Sequence, residues 1–124
     1  MHEGAMTEDL LKHALIHAKE ANASRIVRVK VTIGVLSDAT PESIEMYFSM
    51  FAPGTIAEGA ALEFATAPGH AHCNTCGKDV TIEMLYSPCP ECGAFDLTIT
   101  GGNGVYLESL EIEKEGMESV QIHE

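Results

Sequence analysis

The chain has 124 residues, 45% of them hydrophobic, with 19 acidic against 7 basic side chains and a net charge of −12. That length suits one domain, or one domain with a small satellite. The charge repels phosphate backbones and anionic lipid, which argues against nucleic acid and membrane surfaces as partners and favours cations and divalent metals.

The first residues, MHEGAMTEDLL, lack a basic stretch followed by an apolar run, and no uncharged stretch is long enough to cross a bilayer. The expected location is cytoplasmic. Met6, Leu10, Ala14, Ala18 and Ala21 then recur at helical spacing, widened by Leu11 and Leu15. This predicts a helix that starts between Gly4 and Thr7 and ends at Asn22. RIVRVKVTIG alternates, with Val27, Val29, Val31 and Ile33 on one face and Arg28, Lys30 and Thr32 on the other, as a half-buried strand does. Thr40 and Pro41 form an N-cap and N1 pair, and Ile44, Tyr47, Phe48 and Phe51 follow at i, i+3, i+4 and i+7. A second helix is expected there, broken at PGT. AALEFATA, with Leu62 and Phe64 on one side, reads as a second strand interrupted by Pro68 and Gly69. VYLESLEIE reads as a third, with a bulge near Glu108 because Val105 and Leu107 differ in parity from Leu110 and Ile112. The closing KEGMESVQIHE is expected to fray.

The expected fold is α/β: two helices packed on a three-stranded mixed sheet, with an inserted four-cysteine ribbon lobe. A helical crossover makes the first two strands parallel. The lobe leaves from the second strand and returns at the third, which predicts that those two pair antiparallel. The glycines and prolines around the lobe divide the chain into residues 1–69 plus 100–124 and a lobe at 70–99.

All four cysteines fall in that lobe. CNTCG and CPECG supply Cys73, Cys76, Cys89 and Cys92 in the pattern C-x2-C-x12-C-x2-C. Two residues between thiolates let one tight turn present both sulfurs to one ion, and the glycine after each pair relieves the backbone near the metal. Four sulfurs close a tetrahedron and leave no position for substrate, so the site is expected to be structural zinc. Zinc binding of about 10 kcal/mol would fold a lobe whose sparse core is expected to be Val80, Ile82, Leu85 and Phe95. Iron in a rubredoxin-like carrier is the competing metal, distinguished by red colour. A thioredoxin-like redox pair needs one reactive CxxC at a helix start, not two matched knuckles. DNA binding is disfavoured because Lys78 stands alone against Asp79, Glu83, Glu91 and Asp96.

Of the six histidines, His70 and His72 flank Cys73 and are read as solvated hinge residues, with an exchange ligand as the rarer role. His13 and His17 have the i, i+4 spacing of a zincin helix, but the ALI between them lacks the glutamate that such a protease needs as general base. No nucleophile, open metal site or phosphate loop supports an enzyme. His123 lies in the tail. His2 differs because its neighbour is a primary amine with a pKa of about 7.7 to 8. The Met1 amine, the His2 amide nitrogen and the His2 imidazole can form fused chelate rings around one ion, with the Glu3 amide as fourth nitrogen. Planar nitrogen coordination suits Ni(II) and Cu(II).

With MHE at the start, VRVKVTIGVLS, GTIAEGAALEF, CNTCG, CPECG and GGNGVYLESLEIE, the chain resembles the HypA family of hydrogenase nickel-incorporation proteins along nearly all its length. The resemblance implies a nickel metallochaperone, not an enzyme, that hands on Ni(II) during maturation of [NiFe]-hydrogenase. It implies a nickel-loading GTPase (HypB) or a related ATPase and the hydrogenase large subunit as partners, and a homodimer as a possible assembly. Carried over, His2 is the nickel ligand with the Met1 amine, Glu3 is an accessory ligand or partner contact, and Cys73, Cys76, Cys89 and Cys92 hold zinc. Some relatives place an aspartate after the first strand near the nickel; here Asp38 and Thr40 stand there without an obvious match. The alternative is a zinc-ribbon or rubredoxin-like module with an inert terminus.

Overall fold

The computed structural model describes residues 2–115 and 120–123, and for His2, Val120 and His123 the backbone alone. The elements are α1 (His2–Glu20), β1 (Arg25–Gly34), α2 (Pro41–Phe51), β2 (Ala61–Ala67), β3 (Gly69–Cys73), β4 (Asp79–Ile82), β5 (Leu97–Gly101), β6 (Val105–Glu113) and β7 (Val120–His123). They form a four-stranded sheet in the order β2-β1-β6-β7 and a three-stranded sheet in the order β4-β3-β5. The chain clusters into two compact units. One runs to Thr32 and adds Ala39–Ala65 and the chain from Tyr106 onward; the other joins Ile33–Asp38 to Thr66–Val105.

α1 begins two residues before the earliest expected start. Gly4 is a poor helix former, but a Cβ there would already meet the Tyr47 ring at 3.2 Å, so contact with α2 carries the helix through it. Thr7 is buried and satisfied by donating its hydroxyl to the Glu3 carbonyl, 2.7 Å away. The other end follows the expectation. Asn22 takes φ 59°, and Ala23 N–H returns to the Ala18 carbonyl at 2.9 Å, a left-handed helix stop. On α2 the Thr40 hydroxyl accepts from Ser43 N–H, and Ser43 Oγ accepts in return from Thr40 N–H. Ile44 and Phe48 are buried, and Tyr47 stacks on Phe51 with ring centres 6.2 Å apart.

β1 is the apolar centre of its sheet. Ile26, Val29 and Val31 are fully buried, while Val27 is only half-buried; Ile26 N–H starts the pairing by donating to the Ile56 carbonyl. Val35 N–H ends that side at Ala67, so β1 and β2 run parallel as the crossover requires. On its other side Ser24 bonds Glu113 and Gly34 bonds Gly104, so β6 runs antiparallel to β1.

Two details of the sheet differ from expectation. β2 and β6 are not neighbours, because β1 lies between them. The connection that joins them is a whole ribbon rather than a tight turn, so nothing holds the two strands adjacent. The sheet has a fourth strand, because the tail expected to fray pairs as β7 along β6, from Ile112↔Val120 to Ser109↔His123. Unpaired, β6 would be an open edge. The expected bulge in β6 has a clear signature. Glu108 reaches Lys30 and Thr32 while Glu111 reaches Arg28, so residues three apart share a face that a regular strand would split.

The ribbon is the antiparallel sheet β4-β3-β5. Its core contains Val80 and Ile82 as expected, but Leu85 is 45% exposed and Phe95 76% exposed. Both lie in loops outside the period-two alternation that turns Val80 and Ile82 inward. The interior is instead Leu36, Ala71, Cys73 and Cys89, with Leu97 and Ile99 packed against them.

Candidate metal sites

The two cysteine knuckles repeat one local structure. Gly77 N–H donates to the Cys73 carbonyl at 2.9 Å, and Gly93 N–H to the Cys89 carbonyl at 2.8 Å. Each closing glycine has positive φ, 76° and 80°, and a Cβ at either would meet nothing within 4 Å. Glycine suits both positions because the left-handed conformation carries no Cβ penalty there. Outside each turn the backbone pairs again, Cys73 N–H with Lys78 and Cys89 N–H with Ala94.

The sulfurs meet as four ligands of one ion would. All four lie within 4.8 Å of one another, with Cys73 and Cys92 3.6 Å apart and Cys76 and Cys89 3.8 Å apart. A tetrahedron of zinc–sulfur bonds has sulfurs about 3.8 Å apart. A disulfide would need about 2.05 Å, and all four cysteines are free. Cys73 and Cys89 are buried, Cys76 and Cys92 exposed. Cys76 N–H, 3.4 Å from the Cys73 sulfur, holds that thiol down at about 6. Ala94 N–H favours the Cys92 thiolate, yet desolvation and the thiols of Cys73, Cys89 and Cys76 push it up to about 11. Of these two thiols Cys73 is thus the readier to ionise, and Cys92 the one whose ionisation depends more on a bound cation. The set fits a closed structural metal site.

The expected terminal ligands fall differently. Met1 and the His2 side chain lie outside the described residues; the His2 backbone opens α1. Glu3 is half-buried, and its Oε1 accepts from Ser43 Oγ at 2.8 Å. The same hydroxyl belongs to the α2 cap, so Thr40, Ser43 and Glu3 form one chain of hydrogen bonds. The role of Ser43 was not read from the sequence. Its only signal is the T-x-x-S spacing after the strand, which marks a cap but not a partner forty residues away. Asp38 is exposed.

His70 and His72 are strand residues, not hinge residues: both lie in β3, opposite Thr81 and Asp79 of β4. His72 Nδ1 is 2.8 Å from Asp79 Oδ1, an ion pair when the ring is protonated. His13 is exposed on α1, and His17 faces Glu20 one turn on. The side chain of His123 lies outside the described residues.

Residues 1–112 match the family described as hydrogenase/urease nickel incorporation metallochaperone, HypA. The chain is 37% identical over 113 residues to hydrogenase maturation factor HypA 2 of Bradyrhizobium diazoefficiens, covering 91% of this chain and all of that one. It is 39% identical over the same length to the HypA of Rhodopseudomonas palustris strain TIE-1, with the same coverage. Among solved structures it resembles the nickel metallochaperone HypA from Helicobacter pylori, with a TM-score of 0.73 and 27% identity over 90% of this chain and 97% of that one. Paired knuckles with a closed sulfur cluster, two helices beside a mixed sheet and a match along nearly the whole length all agree: the chain belongs to the HypA family of nickel metallochaperones for hydrogenase maturation.

Proposed function

We propose that this chain carries Ni(II) at its amino terminus and delivers it during [NiFe]-hydrogenase maturation, while the four cysteines hold a structural zinc. The observation that carries the reading is the start of α1 at His2. The first four N–H groups of a helix have no intrahelical acceptor, so the amides of His2 and Glu3 can give up protons to a metal without breaking a helical bond. The positive end of the helix dipole assists that loss. The Met1 amine, these amides and the His2 imidazole then supply planar nitrogen coordination. With Glu3 Oε1 engaged by Ser43, an accessory role for Glu3 uses its other oxygen. A site at the chain start suits ligand exchange, because an incoming donor reaches the ion directly.

The zinc reading rests on the tetrahedral spacing of the sulfurs. When bound, the metal supplies the cross-link that folds the ribbon, and it leaves no position for chemistry. The protein is not an enzyme in this reading. It works in the cytoplasm with a nickel-loading GTPase (HypB) or related ATPase and with the hydrogenase large subunit, and a homodimer is compatible with the role. In this reading residues 1–69 plus 100–124 are the nickel-binding part and residues 70–99 the zinc-binding part.

The test is a calorimetric nickel titration with zinc measured alongside. His2→Ala, or residues added before Met1, should remove tight uptake of Ni(II) and leave zinc content unchanged. Tight uptake that survives both changes would falsify the terminal site.

A further inference from the structure

His13 and His17 belong to neither metal site described above. Successive helical residues turn by about 100°, so these two stand about 40° apart on α1. The buried Thr7, Leu11, Ala14 and Ala18 occupy the inner side of the helix. His13 is exposed and the His17 side chain is 39% exposed. Residues four apart have Cβ atoms about 5–6 Å from each other, which lets two imidazoles meet at one ion. Glu20 Oε1 lies 3.7 Å from His17 Nδ1. That is an ion-pair distance rather than a hydrogen bond, and a small shift of the Glu20 side chain would let its carboxylate accept from Nδ1–H and leave Nε2 as the metal-binding nitrogen. Asp9, one turn before His13, is also exposed.

We propose that His13 and His17 form a second, exchange-labile site for a borderline divalent cation, Ni(II), Cu(II) or Zn(II). Two imidazoles bind the ion, water completes its coordination, and Glu20 acts as a positioning residue. Imidazole suits these metals, and the net charge of −12 raises the local cation concentration. At 1.5 Å per residue His13 is about 16 Å along the helix from His2, so one ion cannot serve both places. Ala14, Leu15 and Ile16 between the histidines offer no general base, so the site holds an ion without activating water for hydrolysis. Two ligands bind more weakly than a terminal chelate and do not compete with four thiolates. The site would therefore collect ions at concentrations above those that fill the terminus.

The test uses the full, zinc-loaded chain with residues added before Met1, which occupies the amine, and Ni(II) alone as titrant. One Ni(II) per chain should bind, with selective broadening of the His13 and His17 imidazole signals. His13→Gln with His17→Gln should abolish that uptake, either single change should weaken it by about tenfold or more, and Glu20→Gln should weaken it a few-fold at unchanged stoichiometry. Glutamine is a good helix former at these outer positions, so the variants should fold. No uptake by the extended chain, or equal uptake by the double variant, overturns the proposal. Failure of the terminal site reads separately, as a native-start chain that takes up no more nickel than the extended one.

Discussion

Ser43 closes the Thr40 cap of α2 and donates to the half-buried Glu3 carboxylate at 2.8 Å. Ser43→Ala keeps its own N–H on Thr40 but leaves Thr40 N–H and Glu3 Oε1 without this hydroxyl. The expected loss is about 1 kcal/mol, a midpoint lower by about 3–5 °C in thermal unfolding of the zinc-loaded protein. An unchanged midpoint would show that the hydroxyl contributes nothing net. The capping pair Thr40-Pro41 was legible from residue types, because a cap is a local choice. The Glu3 contact was not, because the two partners are forty positions apart and neither carries a mark of the other.

Glycines with different duties separate two kinds of element boundary. Gly77 needs its left-handed φ but has open space where a side chain would grow. Gly102 has φ 76° and also lies against the Pro68 carbonyl and the Gly69 backbone. Gly77→Ala should cost about 1 kcal/mol through backbone strain alone. Gly102→Ala adds a backbone overlap that no rotamer relieves, and should cost roughly 3 kcal/mol or more. Comparison of denaturant midpoints checks the order, and equal costs would rule out the close approach at Gly102. Elements themselves followed period and punctuation: the stripes of α1 and α2, the alternation of β1 from Val29 to Ile33 and the phase change in β6 were readable, whereas Ile26 is buried in place of Val27. The start of α1 was not, since helix propensity at Gly4 opposes what the Tyr47 contact allows.

Across the molecule, the ribbon interior is small and includes two of the metal-binding thiols, Cys73 and Cys89. A bound metal there should supply much of the folding energy of the lobe. A strong chelator should therefore abolish amide-exchange protection in β3, β4 and β5 while α1 and β6 keep theirs. Protection lost equally in both units would mean that the ribbon and the helix-bearing unit fold as one cooperative block. The net charge of −12 acts at this scale as well: it raises the concentration of cations around the molecule.

By itself the sequence determined what spans a few residues: two helices, the central strand, the paired knuckles and their ligand spacing, and the resemblance that the family match bears out. Periodicity and chelate spacing are short-range, so they survive without a folded context. Only the tertiary structure decided that β1 separates β2 from β6, that Val120–His123 covers the β6 edge, and that Leu36 completes the ribbon core in place of Leu85 and Phe95. Each of these joins segments distant in sequence. Several apolar candidates compete for each position, and packing of the whole chain selects among them.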